Sequence, residues 1–208
     1  MSTLKPRKIW FDETIRRLNL EERGYLLGAF KGDDKLLIAN SLGTLKVVTP
    51  ELSLHFDETA IHIEKWIPKK PITSVYFDAE KERYFLKRFI VESVDKEDSY
   101  IKEGCVLTYL GFDWRPLLSV QFEKSRGKEQ PLDIDVNAEE FISVKGYKAL
   151  GNQLTDKKIK AISLKEALPY KESEEEAISE IEVEAEGIDT SSVVTPKNND
   201  DDQITLEF

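Results

Sequence analysis

The chain has 208 residues, of which 30 are lysine or arginine and 40 are aspartate or glutamate, so its formal net charge is −10. Apolar residues make up 40% and aromatic residues 10% of the sequence, which excludes a fully disordered protein and predicts one or two folded domains. The sequence has no apolar run of membrane-spanning length and no basic, apolar secretory leader, and its single cysteine excludes an intramolecular disulfide bond.

The acidic charge is concentrated at one end of the chain. Residues 171–208 contain two basic and thirteen acidic residues, a net charge of −11, whereas residues 1–170 contain 28 basic and 27 acidic residues, a net charge of +1. We expect a folded domain over 1–170 and an acidic, disordered tail over 171–208, because clustered carboxylates repel one another and little apolar surface is available to offset ordering.

Within the domain, three pairs of β-prone runs are each separated by a short turn segment, which predicts three hairpins. The paired runs are 36–38 with 45–48, 72–77 with 84–91, and 106–110 with 117–122. The turns recur at intervals of roughly 30 to 40 residues, which is the period of propeller blades or other small repeated sheets. A fourth unit is predicted with strands at 141–144 and 159–164, and residues 163–167 are predicted to form one helical turn.

Two histidines are the first candidates for a metal site. His55 and His62 lie near Asp57, Glu58 and Glu64. Because residues seven apart on a strand point to opposite faces, we expect surface or half-buried strand histidines rather than metal ligands.

Other reactive patterns give no catalytic site. Cys105 begins an apolar run and is expected to be a buried, inert thiol. Gly24, Gly28 and Gly32 lack the Lys-Ser/Thr ending of a phosphate loop, and the sequence has no Gly-x-Ser-x-Gly elbow. We therefore expect no catalytic residue, no bound metal and no cofactor in this chain.

Basic residues recur beside the glycine turns and within the predicted strands. If the repeated units pack side by side, these residues would form a basic rim able to bind phosphates; the alternative is a solvated surface of mixed charge. The candidate rim residues are Arg16, Arg17, Arg23, Lys46, Lys87, Arg88, Lys145, Lys148, Lys157 and Lys158.

Several of these stretches carry a family likeness. Residues 8–24, 32–43, 83–89 and 141–151 resemble, in the right order, the C-terminal region of the A-type subunits of type IIA DNA topoisomerases, of the topoisomerase IV and gyrase A kind found in Bacteroidetes. The resemblance covers about residues 5–170. It implies an all-β fold, a β-pinwheel of about four blades that exchange strands, here partial or open.

The resemblance also implies a function. Such a region binds and wraps double-stranded DNA without catalysis and presents bent or crossed duplex to the strand-passage core. Its implied partners are DNA, the B-type subunit of the topoisomerase and the catalytic core of the A-type subunit, in the cytoplasm at the nucleoid and not at a membrane. Mg²⁺ and ATP belong to the holoenzyme, an isomerase. The acidic tail is then expected either to compete with DNA or only to aid solubility.

Two departures from the family pattern matter. The Gln-Arg-Arg-Gly-Gly-Lys-Gly box of gyrases is missing, although residues 22–28 echo it, which favours decatenation by a topoisomerase IV over supercoiling. Arg83-Tyr84 lacks the motif around the nucleophilic tyrosine, so catalysis is not transferred to it. The alternative to a DNA-binding module is a propeller-like module that binds other proteins.

Overall fold

A computed structural model describes residues 5–92, 96–124 and 129–170 of the protein. The acidic segment 171–208 lies outside the described residues, so its predicted disorder stays a prediction. The described residues form four small sheets and one short helix, α1 (Ala138–Phe141). None of the sheets closes into a barrel, and the all-β, propeller-like prediction is confirmed.

The first two sheets come mainly from the first 65 residues. The first contains β1 (Arg7–Asp12), β2 (Arg17–Asn19) and β3 (Tyr25–Phe30), in the spatial order β2-β1-β3. The second contains β4 (Leu36–Asn40), β5 (Thr44–Val48), β6 (Ala60–Lys65) and, from much later in the chain, β9 (Asp98–Ser99), in the order β6-β4-β5-β9.

The third and fourth sheets share the rest of the domain. The third contains β7 (Ile72–Asp78), β8 (Arg83–Ile90), β10 (Cys105–Gly111), β13 (Lys145–Gly146) and β14 (Asn152–Thr155), with the order β10-β7-β8-β13 and β14 also on β8. The fourth contains β11 (Arg115–Phe122), β12 (Ile134–Asn137) and β15 (Ile159–Leu168), in the order β12-β11-β15.

All four sheets follow one plan. The first strand of each (β1, β4, β7 or β11) lies between the second strand and a later outer strand. The far side of the second strand is then covered by a short segment borrowed from the next unit: His55 opposite Arg17 on β2, β9 on β5, and β13 on β8. In the fourth sheet, β12 occupies the second position, and no described residue pairs with its far side.

Three apolar clusters fill the space between successive sheets. Because side chains alternate along a strand, β4 sends Leu36 and Ile38 to the first cluster and Leu37 to the second. In the same way, β7 sends Tyr76 to the second cluster and Val75 to the third. Burial on both faces explains why β4 is almost continuously apolar rather than alternating, whereas β7 also buries Thr73 and Ser74.

The first two predicted hairpins are confirmed as β4–β5 and β7–β8. The third is wrong in its pairing, since β10 pairs with β7 and β11 pairs with β12 and β15. The predicted strand at 141–144 is wrong because Asn137 caps α1, its side chain accepting a 3.2 Å hydrogen bond from the Glu139 amide. The predicted helical turn at 163–167 lies within β15, where pairing with β11 overrides the helix-forming composition.

Candidate nucleic-acid interface

The side chain of Arg16 faces inward, which corrects the predicted position of this residue on a basic rim. It lies in the turn between β1 and β2, with a φ of 54°. Its Nε donates to the Phe56 carbonyl at 3.2 Å, and its Nη2 donates to the carbonyls of Ala60, at 2.8 Å, and Asp57. Arg16 therefore holds the segment that the first sheet borrows from the second.

Lys87 performs the same task deeper in the domain. Its side chain lies in the interior, with only 3% of the residue exposed, and Nζ donates to the carbonyls of Tyr100 and Tyr147, each at 2.6 Å. Burial, together with the nearby Lys148 ammonium, lowers the pKa of Lys87 to about 8. The two carbonyl groups follow β9 and β13, so a single ammonium fixes two borrowed strands.

Arg88 is also buried, and its guanidinium donates to the Trp114 carbonyl at the start of β11. Burial lowers the pKa of Arg88, and the nearby Glu139 carboxylate acts in the opposite sense. The prediction that Lys87 and Arg88 lie on an outer rim is therefore wrong. Their hairpin is buried on both faces, and main-chain carbonyl groups accept hydrogen bonds from both cationic side chains.

The borrowed segments share a chemical pattern. Each is followed by an aromatic residue, namely Phe56, Tyr100 and Tyr147, whose ring lies in or against an apolar cluster. The carbonyl group of each aromatic residue accepts a hydrogen bond from Arg16 or Lys87. A buried or half-buried cation thus marks each point where one sheet takes a strand from the next.

Three other candidate rim residues are exposed but paired with carboxylates. Arg23 lies 3.1 Å from Glu21, Lys148 2.5 Å from Asp98, and Lys158 2.9 Å from Glu123. These hydrogen bonds raise the pKa of Lys148 and of Lys158. The partner carboxylates offset the positive charge that a phosphate would meet.

The remaining four candidates are available to an anionic ligand to different degrees. Arg17, Lys145 and Lys157 are exposed, whereas Lys46 is half-buried in β5. Within the described ranges none of the four makes a salt bridge. Their strands belong to four different sheets or loops, so the structure does not gather the ten predicted residues into one cluster.

A cationic cleft that the sequence analysis missed lies at the end of the first sheet. Lys5, Arg7 and Lys31 line a cleft of about 330 Å³ together with uncharged residues, namely Phe30, Gly32, Thr49 and Pro50. Antiparallel pairing sets Arg7 opposite Phe30, which brings Lys31 beside the start of β1. Among the lining residues that the structure describes, none is acidic.

Two acidic residues, Asp33 and Asp34, follow Gly32 in the chain, and neither lines the cleft. Asp33 is exposed, and the Asp34 carboxylate is held by two hydrogen bonds. It accepts from Lys65 Nζ at 2.6 Å and from the Lys31 amide at 2.7 Å. The Lys65 hydrogen bond lowers the pKa of Asp34, outweighing the smaller effect of burial. We call the three basic residues Lys5, Arg7 and Lys31 the cationic cleft.

A second cleft, of about 660 Å³, contrasts with it. Lys157 and Lys158 line it, but so do Glu123, Glu129 and Asp156. This surface has mixed charge and is the weaker place for a phosphate. The sequence offered one signal for the first cleft, the basic stretch at residues 5–8, but only the pairing of β1 with β3 adds Lys31 to it.

His55 is exposed and His62 is half-buried, which confirms the expectation of surface or half-buried histidines. His62 stacks on Phe112 with ring centroids 3.5 Å apart, and its Nε2 lies 3.4 Å from Glu64. Cys105 is half-buried rather than buried as expected, and this partial burial, followed by the effect of nearby Asp78, raises the pKa of its thiol. In the described part of the chain, no group of three or more histidine, cysteine or acidic side chains could hold a metal, and no helix could span a membrane.

Comparison with known proteins identifies the family. The family model described as the topoisomerase C-terminal domain of Bacteroidota matches residues 17–167. Searches of curated proteins and of solved structures returned no match. The matched range runs from β2 to β15 and spans most of the chain. The chain therefore belongs to the Bacteroidota topoisomerase C-terminal domain family.

Proposed function

We propose that this domain binds duplex DNA without catalysis and holds bent or crossed duplex for the strand-passage core of a type II topoisomerase. The observation that carries the proposal is the cationic cleft, where Lys5, Arg7 and Lys31 converge and no described lining residue is acidic. Family membership supplies the context, since the matched domain is a topoisomerase domain.

The physical basis is the release of counterions from DNA. Each lysine or arginine that contacts a phosphate displaces condensed cations, and the affinity then falls steeply with salt. Contacts of this kind read the backbone and the shape of the duplex rather than its bases. The domain's net charge of +1 over residues 1–170 is no obstacle, because a local cluster of cations is sufficient.

Arg17, Lys145 and Lys157 are exposed and make no salt bridge to another described residue, and we propose them as secondary phosphate contacts. Arg16, Lys87 and Arg88 are left out of the proposed surface because their cationic groups hold main-chain carbonyls. The B-type subunit and the catalytic core of the A-type subunit are the proposed protein partners. The missing gyrase box favours a decatenating enzyme of the topoisomerase IV kind.

The test compares two triple variants of the full chain that remove the same charge. One is Lys5→Gln, Arg7→Gln and Lys31→Gln, in the cationic cleft. The control is Lys102→Gln, Lys148→Gln and Lys158→Gln, which removes three exposed lysines that are paired with Glu80, Asp98 and Glu123.

We expect the cleft variant to lose at least about tenfold in affinity for duplex DNA at about 0.1 M salt, and the control variant to lose less, because paired lysines release fewer counterions. Fluorescence anisotropy with a labelled duplex measures both. Equal losses in the two variants would show that only net charge matters. An unchanged affinity in the cleft variant would contradict the assignment of the cleft.

A further inference from the structure

In three of the four sheets, a segment from the next unit covers the far side of the second strand. In each case a short extended segment pairs there and an aromatic residue follows it; two of the segments are antiparallel to the second strand, whereas β13 is parallel to β8 and shares it with β14. The segments are His55-Phe56, Asp98-Ser99-Tyr100 and Lys145-Gly146-Tyr147. The rings of Phe56 and Tyr100 are buried, and the ring of Tyr147 packs against the second cluster.

The fourth sheet has a second strand in the same position, β12, but no such cover among the residues that the structure describes. Residues of β12 pair with β11 in the register Leu117↔Asn137 to Val120↔Ile134. In the part of the chain that the structure describes, no strand pairs with the other side of β12. An edge strand of this kind presents free main-chain N–H and C=O groups that can pair with another segment.

Exposed apolar side chains accompany the free edge. Ile134 and Val136 point to the same face of β12, and Val136 is 7% exposed within the third cluster. Ile134 on that face is nevertheless 38% exposed, and Leu132, two residues earlier, is 86% exposed. The apolar face of β12 therefore lies partly uncovered.

We propose that the β12 edge binds an extended segment of another polypeptide, one with an aromatic residue directly after its strand. The occupant's chemistry is read from the three internal segments, and the mode is the addition of a strand to a sheet edge. The exposed Asp133 favours a segment that carries lysine over an acidic one, whereas the Asp135 carboxylate is already paired with Lys165. This protein-binding edge is separate from the cationic cleft and does not depend on DNA binding.

The probe is a labelled peptide with the sequence of residues 143–149, Ser-Val-Lys-Gly-Tyr-Lys-Ala, added to the full chain. We expect saturable binding, measured by anisotropy, that falls at least tenfold when the peptide's tyrosine is replaced by serine. Ile134→Lys and Leu132→Lys are both expected to weaken binding at least tenfold. Leu42→Lys is the matched control, since Leu42 is 72% exposed in the β4–β5 turn, away from this edge, and we expect it to leave binding unchanged.

Hydrogen exchange of the 134–137 amides identifies the occupant. The proposal predicts fast exchange in the free chain for amides facing away from β11, and slower exchange once the peptide is added. Equal peptide binding by the Leu132→Lys, Ile134→Lys and unsubstituted chains would overturn it. Slow exchange of these amides in the free chain would also overturn the proposal. If the protection falls on dilution, a second copy of the chain covers the edge. If the protection is lost only on truncation after Tyr170, a segment of this same chain covers it.

Discussion

The buried ammonium group of Lys87 should make the free energy of unfolding depend on pH. Burial lowers the pKa of Lys87 to about 8 from its ordinary value of 10.5. Between these two values the unfolded chain binds more protons at this residue than the folded chain does. The free energy of unfolding therefore rises with pH in this window. The destabilisation that comes from burying the charged ammonium is fully present below pH 8.

The expected magnitude follows from the two pKa values. Between pH 7 and pH 9.5 the contribution of Lys87 to the free energy of unfolding should increase by about 2 kcal/mol. This is an upper figure, because the carbonyls of Tyr100 and Tyr147 favour the charged form and oppose the shift.

The variant Lys87→Met removes the titrating group and keeps the length of the side chain. It also leaves two interior carbonyl groups without their donor, at a cost of about 1 to 3 kcal/mol for each. We therefore expect the variant to be less stable than the unsubstituted chain at every pH in this range, with a difference that widens as the pH rises.

Urea unfolding followed by tryptophan fluorescence measures both chains at pH 7, 8, 9 and 9.5. The informative quantity is the difference between the two free energies of unfolding at each pH, because groups common to both chains cancel in it. Parallel pH profiles for the two proteins would refute the inference that Lys87 is a buried ammonium that clamps two strands.

Three further predictions concern other residues. Arg16→Met should lower the free energy of unfolding by about 1 to 3 kcal/mol, because the carbonyl groups of Phe56 and Ala60 lose their donor. Arg17→Met, on the surface, should change the free energy of unfolding by no more than about 0.5 kcal/mol, and urea titration measures both variants. Gly24→Ala should lower the free energy of unfolding by at least about 2 kcal/mol, since the φ of Gly24 is +82° and a Cβ would lie 2.0 Å from a carbonyl oxygen. Gly104 has a similar φ of +81° but open space around it, so Gly104→Ala should lower the free energy of unfolding by only about 1 kcal/mol in the same assay. Equal losses in the two variants would contradict the steric argument. The raised pKa of Cys105 predicts that iodoacetamide alkylates it more slowly at pH 8 than it alkylates a free cysteine; mass spectrometry follows the reaction, and a faster one would contradict the raised pKa.

Strands and their repeat were predictable from sequence because the apolar runs are long and bounded by turn residues. The pairing of strands was harder to predict. β9 and β13 have two residues each, too few to show any periodicity, and they pair with strands from another unit. The hairpin predicted at 106–122 failed for a related reason, since a tight turn between two β-prone runs does not fix whether they share a sheet.

The basic residues show the same limit at the level of side chains. Lys87 and Arg88 were expected on a surface because lysine and arginine are rarely buried without a partner. Their partners are main-chain carbonyls of residues 13 to 60 positions away, which no local pattern marks. The cationic cleft was missed for the converse reason, because Lys31 joins Lys5 and Arg7 only through the register of β1 with β3.

The claim that Lys5, Arg7 and Lys31 bind the DNA backbone predicts that the affinity for duplex DNA depends on the salt concentration. The slope of log affinity against log salt should decrease in magnitude by about 2.7 when Lys5, Arg7 and Lys31 are replaced by glutamine, if each contacts one phosphate. A slope that is the same in the cleft variant and the unsubstituted chain, or an affinity of the unsubstituted chain that does not depend on salt, would contradict the claim.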